Sequence, residues 1–268
     1  MSASKIALWG CLLTSSAGLC RADIVELKAT FQSLVDALDS DAPRRDPPDP
    51  GPMFDAVRNA TADDIRALLP LAEDFLHSPK IKVRGAALLL MLSVSMRPAD
   101  SSKLLEPYID DVALALNDSD QGVRNGAIGI LGGTHPAPSP KALAHLEAHL
   151  NDKANDDVAA KMIAGALLQS GDGSAVSKVL AFVQQRPALQ GEVIQMLGRL
   201  KITTQDALNF VHAGLKDSKL GIRRTAVDAV GNLPKEARKG FEQDLLRLMA
   251  NPDEDTQVRN RAQAVLIQ

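Results

Sequence analysis

One short pattern recurs three times in this 268-residue chain and constrains what the chain can fold into. In each copy an Asp stands six residues before an Arg, the Arg follows Val or Ile, and an Ala lies three residues further on. The copies are Asp118–Arg124–Ala127, Asp217–Arg223–Ala226 and Asp253–Arg259–Ala262. Chance would supply such a match only on the order of a few hundredths of a time in the whole chain. The copies therefore indicate internal duplication.

The spacing of the pattern predicts the architecture. The positions that correspond to its Arg follow one another at intervals of 31 to 40 residues; they are Arg84, Arg124, Ala159, Gln190, Arg223 and Arg259. Between them, apolar residues recur at helical intervals and turn residues separate helix-length segments. The period-two alternation that is typical of strands does not occur. A period in the thirties with two helices per repeat predicts an all-α solenoid of about six helix pairs.

Residues 1–22 have the features of a secretory signal peptide. Lys5 supplies a positive start, Ile6 to Leu13 form an apolar core, and Cys20-Arg21-Ala22 gives a cleavage site that leaves Asp23 as the first mature residue. A small-residue stretch a few positions upstream is a second possible site. Both cysteines lie in this segment, so the mature protein would contain no disulfide and no cysteine nucleophile. The sequence predicts an exported protein, periplasmic or secreted.

Three segments follow the predicted signal peptide. Residues 23–40 are predicted as one helix, because a single apolar stripe recurs at spacings of three and four through Ile24, Leu27, Phe31, Leu34 and Leu38. Residues 41–53 contain five prolines among charged residues and are predicted as an extended linker, since proline fixes φ and lacks a backbone donor. Residues 54–268 are predicted as the repeat array.

The segment Leu88 to Leu92 is apolar around the whole circumference of its predicted helix. A helix without a polar face has to be covered on both sides. Our hypothesis is that the helix from Ile24 to Leu38 folds back over it as an N-terminal cap.

The repeated Asp, Val/Ile-Arg, Ala, Leu and Gly positions resemble HEAT repeats, including the HEAT-like repeats first recognised in phycobilisome lyases. The resemblance covers residues 54–268 and implies an armadillo/HEAT-like superhelix with an extra N-terminal helix. In the first pair, Ser78 replaces the Asp. In the third and fourth pairs, Lys153 and Gln184 take the Asp position, while Ala159 and Gln190 take the Arg position.

In families of this kind the Asp lies in the turn between paired helices and the Arg in the first turn of the second helix, where they bond within and between repeats. The resemblance therefore implies a structural ladder, whose members here are Arg84, Asp118, Arg124, Asp217, Arg223, Asp253 and Arg259. The chemistry agrees, because a carboxylate at a helix start accepts backbone N–H groups and a guanidinium offers several donors in a planar fork.

Motifs that carry chemistry are scarce. His145 and His149, with Glu147 between them, share a helix face, but a metal site needs a third ligand and the sequence provides no H-E-x-x-H order. The cluster Asp253-Glu254-Asp255 lies at a predicted helix start, where carboxylates offset the helix dipole. No nucleophile elbow, phosphate-binding loop or calcium loop occurs. The sequence predicts no catalytic residue, no metal site and no cofactor.

Three classes of function follow from the resemblance. The first is a non-catalytic scaffold that binds a protein or peptide on the concave wall of second helices. The second is a HEAT-like enzyme or accessory factor, lyase-type or metal-binding, which the absence of mature cysteines and the aromatic content of 3% disfavour. The third is nucleic-acid binding, for which a net charge of −3 gives no electrostatic footprint.

The sequence favours the scaffold. We expect a protein or peptide partner, no enzymatic activity, no nucleic acid and no membrane insertion after signal cleavage. Self-association stays open, because the open end of a solenoid exposes apolar surface.

Overall fold

The computed structural model describes residues 24–39, 49–97, 100–134, 137–152 and 155–267. The predicted signal peptide and most of the predicted linker lie outside these residues. The chain divides into two compact units, one ending at Gly126 and one beginning at Ala127. The division falls inside one helix, Gln121–Gly133.

The first unit consists of helices joined by short turns. Its helices are α1 (Ile24–Asp39), α2 (Gly51–Asn59), α3 (Ala62–Leu76), α4 (Ile81–Ser95), α5 (Ser101–Leu105), α6 (Ile109–Leu114) and the first part of α7 (Gln121–Gly133). Single 3-10 turns at 106–108 and 115–117 flank α6. Helices α3 and α4 pack against each other as the first predicted pair.

The second unit contains the remainder of α7 and four helix pairs with short turns. Its helices are α8 (Pro140–His149), α9 (Asp157–Gln169), α10 (Gly173–Gln185), α11 (Gln190–Arg199), α12 (Gln205–Gly214), α13 (Leu220–Asn232), α14 (Lys235–Arg238), α15 (Glu242–Ala250) and α16 (Thr256–Ile267). The second helices α9, α11, α13 and α16 pack successively against one another, as the paired helices of a solenoid do. The predicted all-α fold of successive helix pairs is confirmed: the described residues form helices and turns, without a strand.

Side-chain caps explain where several helices begin. Thr61 and Asp64 form a capping box at the start of α3, in which each side chain bonds the backbone N–H of the other residue. At the starts of α8, α9, α10 and α12, one side chain accepts one or two backbone N–H groups of the first turn. The accepting side chains are those of Ser139, Asp156, Asp172 and Thr204. Each cap satisfies a donor that has no partner within the helix.

The predicted packing of the N-terminal helix against α4 is confirmed, since α1 contacts α4, α2 and α3. Leu27 and Phe31 of α1 are buried, and the Phe31 ring lies 5.6 Å from the Phe75 ring of α3 between centroids. The apolar stripe of α1 therefore becomes part of the core of the first unit.

The predicted linker of residues 41–53 is too long at its C-terminal end. Helix α2 begins at Gly51 and carries Pro52 in its first turn, with Met53 buried. Proline is tolerated in the first turn because the N–H that it lacks would have no partner there. The repeat array is thus preceded by α2 as well as α1.

Candidate functional site

In the first unit, Arg84 joins the first helix pair to the turn that precedes α7. Its Nε lies 2.7 Å from one carboxylate oxygen of Asp118 and its Nη2 lies 3.0 Å from the other, so the pair is bidentate. The remaining Nη1 donates to the carbonyl oxygen of Ser78 at 2.9 Å. The Asp118 side chain is only 9% exposed. The guanidinium of Arg84 thus bonds both the turn before α4 and the turn before α7.

The environment of Asp118 favours its charged form. Burial by itself raises the pKa of this carboxyl, but hydrogen bonds from Arg84 and from the backbone N–H of Asp120 outweigh burial, so the pKa lies below its usual value. Arg124 then donates to the carbonyl oxygens of Asp118 and Ser119, at 2.8 and 3.1 Å. The turn before α7 is therefore bonded through its side chain by one Arg and through its backbone by another.

In the second unit, Arg223 at the start of α13 makes the corresponding bond to the turn before α16. Its acceptor is Glu254 rather than the predicted Asp253: Nε and Nη2 of Arg223 lie 2.9 and 2.8 Å from the two carboxylate oxygens of Glu254. Asp253 is exposed, and its backbone N–H donates to Asn251. Hydrogen bonding from Arg223 lowers the pKa of Glu254 against the opposing effect of burial.

Asp217 accepts from Gln190, which takes the Arg position in the fourth pair. The amide nitrogen of Gln190 donates to one carboxylate oxygen of Asp217 at 3.0 Å, and the backbone N–H of Lys219 donates to the other at 2.8 Å. At the last position, Arg259 donates to the carbonyl oxygen of Pro252 and the hydroxyl of Thr256, at 3.4 and 3.3 Å.

The third turn, between α8 and α9, is bonded by an Arg of the following helix pair rather than of the preceding one. Its ladder position is Ala159, which has no side-chain donor. Arg186, after α10, donates to the carbonyl oxygens of Asn155 and Asp152 at 3.1 and 3.4 Å, and its guanidinium lies 5.3 Å from the Phe182 ring centroid. Sequence reasoning missed Arg186 because it lies outside the repeated pattern.

Close contact between helices supplements these bonds. A Cβ built on Gly198 of α11 would lie 2.5 Å from Cα of Ala229 on α13, which is closer than two non-bonded carbon atoms can approach. A Cβ on Gly132 would lie 2.8 Å from that of Ala166 on α9. Glycine therefore sets how near the second helices of the second unit can approach.

The exposed charges of the second helices are largely paired between neighbours. Lys161 of α9 lies 2.8 Å from Glu192 of α11. Arg261 of α16 pairs with Asp228 of α13, and Arg224 of α13 lies 3.8 Å from Asp255 in the turn before α16. These pairs place charges of opposite sign beside each other along α9, α11, α13 and α16.

A groove of about 480 Å³ lies among α11, α13 and α16. Its polar lining combines two exposed amide side chains, Gln195 and Asn232, with the Asp228–Arg261 pair. The small residues Ala229 and Gly231 contribute the rest of the α13 wall. Sequence reasoning did not single out these residues, because the groove depends on how three helices are placed.

The first helices carry a polar cluster around Asp244 of α15. His212 Nδ1 of α12 lies 2.7 Å from a carboxylate oxygen of Asp244, and Lys216 and Arg247 lie 3.3 Å from the other. The His212 ring stacks on buried Phe241 with centroids 4.0 Å apart. Burial raises the pKa of Asp244, but the bonds from His212 and Lys216 outweigh it and the pKa is lowered. The cluster joins two helix pairs.

The residues weighed for metal binding turn to other partners. His149 lies 3.6 Å from Asp152, and Glu147 pairs with Lys178 of α10. Among the described residues, no three His, Cys, Asp or Glu side chains are grouped so that they could hold a metal ion. Within the same residues, no helix has both the length and the apolar character needed to span a bilayer.

Several solved structures are similar to this chain. An engineered protein has a TM-score of 0.49 and 18% identity, with 88% of this chain and 67% of that chain covered. A designed armadillo repeat protein in complex with the peptide (KR)4 has a TM-score of 0.40 and 17% identity, covering 88% and 98%. Drosophila melanogaster Mini spindles TOG3 has a TM-score of 0.44 and 18% identity, covering 73% and 92%. A scan against protein-family models and a search of curated proteins find no match.

Proposed function

We propose that this protein is an exported, non-catalytic repeat scaffold that binds a protein or peptide along its second helices. The observation that carries the proposal is the groove among α11, α13 and α16, which combines room, exposed amides and charges on one surface. Its volume of about 480 Å³ lies within the range of about 300–1,000 Å³ typical of binding pockets.

The lining of this groove suits a polypeptide backbone. The amide side chains of Gln195 and Asn232 each carry a donor and an acceptor, which match the C=O and N–H of a peptide group. The small residues Ala229 and Gly231 leave space for a chain to approach closely. The Asp228–Arg261 pair is half exposed and offers one charge of each sign to polar side chains of a partner.

A non-catalytic role fits the placement of the titratable groups. The His212–Asp244 pair places an imidazole beside a carboxylate, as in a base with its orienting carboxylate. Asp244 is engaged by Lys216 and Arg247 as well as by His212, and one face of the imidazole is covered by Phe241. This geometry suits a structural contact between α12 and α15.

A site-specific crosslinking experiment tests the proposed groove. We expect a photoreactive benzoylphenylalanine at Asn232 to crosslink a protein or peptide partner from the extracytoplasmic fraction, and the same group at Gln243 of α15 to give none. The double substitution Gln195→Ala and Asn232→Ala should reduce capture of that partner about tenfold, because the lost amide bonds are buried in the complex. Equal crosslinking at both positions would remove the groove from the proposal.

Export is tested separately. Fractionation of the source cells and N-terminal sequencing of the recovered protein should place it outside the cytoplasm, with Asp23 as its first residue. Retention of Lys5 in a cytoplasmic protein would refute export and leave the binding proposal standing.

A further inference from the structure

Helix α4 keeps part of its apolar run accessible although α1 packs against it. Leu89 and Leu92 are half-buried, and Ile81 at the start of the helix is 47% exposed. Helix α1 packs against α4, as predicted, and leaves these three side chains of α4 partly accessible. Clustered apolar exposure of this kind marks an interaction surface more often than isolated exposed residues do.

The accessible leucines line a groove of about 280 Å³ within the first unit. Its walls are α4, the first turns of α7 and Leu38, the last apolar residue of α1. Two glycines give the groove its depth: a Cβ on Gly85 would meet no atom within 4 Å, and a Cβ on Gly126 would lie 3.3 Å from Leu88. The space is thus the volume that larger side chains at these positions would fill.

Two charged residues border this apolar groove, and they differ in availability. Asp120 is engaged, because its carboxylate accepts the backbone N–H of Val123 at 3.0 Å and faces the positive start of α7. Lys82 is exposed and forms no ion pair with any described residue. The groove therefore has one free positive charge at its edge.

The volume limits what the groove can hold. At about 280 Å³ it falls just below the range of about 300–1,000 Å³ that encloses whole small molecules. It has room for one or two large side chains, which is the size of the pockets that receive anchor residues at protein interfaces. It also continues the row of apolar contacts that α1 makes with α4.

We infer that this α4 groove is a second binding site, which takes a large apolar side chain from a segment of another protein that carries a carboxylate beside it, paired with Lys82. The apolar side chain of this segment lies against Leu89 and Leu92. This inference does not depend on the groove of the second unit, because every residue that carries it belongs to the first.

The test uses nuclear magnetic resonance of the full isotope-labelled chain with synthetic decapeptides. Each peptide has one Leu, Phe or Ala in a Gly/Ser background, flanked by Asp or by Lys. We expect the amide resonances of Gly85, Gly122 and Gly126 to shift on titration with the Leu and Phe peptides flanked by Asp. The Ala peptides and those flanked by Lys should bind about tenfold more weakly, since they lack the anchor or meet a like charge.

Two variants separate the contributions. Gly85→Leu adds a side chain whose Cβ would meet no atom within 4 Å; we expect it to occupy the groove and to lower the affinity at least about tenfold. Lys82→Glu should make the Lys-flanked peptide the stronger ligand. Lys161→Glu, on an exposed pair of the second unit, is the matched control and should change neither. Circular dichroism checks that each variant is folded.

Three results would overturn the inference. They are equal affinity of Gly85→Leu and the unmodified chain for the Phe peptide, no change of charge preference in Lys82→Glu, and displacement of the resonances by myristate but by no peptide, which would identify an acyl chain as the ligand.

Discussion

Two neighbouring interfaces between second helices of the second unit, here called seams, are held together by different interactions. Between α13 and α16, Arg223 forms a bidentate ion pair with Glu254, whose side chain is 4% exposed. Between α11 and α13, the donor to Asp217 is the uncharged amide of Gln190, and the helices touch through Gly198 and Ala229. The comparison teaches that a repeat can lose its Arg without losing its seam, provided that close helix packing takes over.

The largest effect should come from breaking the charged seam. We expect Arg223→Ala to lower the free energy of unfolding by about 3 kcal/mol, because Glu254 would be left buried without its partner. Arg261→Ala, which removes an Arg from a half-exposed pair, should cost under about 1 kcal/mol. Urea titrations of both variants provide the measurement. Equal losses would mean that burial of the pair does not matter.

The packed seam should respond almost as strongly to a single methyl group. We expect Gly198→Ala to lower the free energy of unfolding by about 2 kcal/mol, since the added Cβ would overlap the backbone of Ala229.

Gly165→Ala in α9 is the control for this substitution. Its Cβ would meet only Met196 at an ordinary 3.7 Å, so replacing a glycine inside a helix should stabilise the protein by up to about 1 kcal/mol. Stabilisation by both alanines would show that the two helices can move apart freely.

A smaller effect is expected from loss of the hydrogen bond between Gln190 and Asp217. Gln190→Ala removes one hydrogen bond to Asp217, which keeps its bond from the backbone N–H of Lys219. The expected loss of free energy of unfolding is about 1 kcal/mol. Gln190→Arg restores the donor type of the repeat and should be at least as stable as the original protein. If Gln190→Ala lost more free energy of unfolding than Arg223→Ala, our ranking of the two seams would be reversed.

Acid should weaken the ion pairs of Glu254 and Asp244. Hydrogen bonding from Arg223 lowers the pKa of Glu254, and the bonds from His212 and Lys216 lower that of Asp244 despite burial. The unfolded chain therefore binds more protons near its ordinary carboxyl pKa values of about 4, so this stability is present above that pH and is lost as the pH falls through the folded-state values.

The variant Glu254→Gln measures how much of this acid sensitivity comes from the charged seam. It should be less stable than the original protein at pH 7 but should lose less of its remaining stability between pH 5 and about pH 3. Urea midpoints at stepped pH values give the comparison. Parallel acid curves for the two proteins would assign the sensitivity to other carboxyls.

The fold could be predicted because its signals are local. Apolar residues at helical spacing and caps such as Thr61 and Asp156 act within a few residues, so the sequence indicates helix pairs directly. The start of α2 was missed because the proline at position 52 reads as a linker residue when its place in a first turn is unknown. Export and self-association stay predictions.

The bonding partners across the seams were harder to predict. Asp253 matches the spacing of the repeat, but the neighbouring Glu254 has one more methylene and is the side chain that meets Arg223. Gln190 carries no charge and Gly198 has no side chain, so the sequence does not indicate that either residue forms a contact between helices. Both grooves arise where separate helices leave space, which no residue spacing encodes.

The contact of Gly198 with Ala229 has a mechanical consequence. Where the two backbones lie this close, no change of side-chain rotamer can accommodate a different crossing angle between α11 and α13. We therefore expect these two helices to tilt together. We expect bending of this region to occur at the joint between α13 and α16, where the long side chains of Arg223 and Glu254 form the link. Because α16 forms one wall of the amide-lined groove, such bending would change the width of the groove.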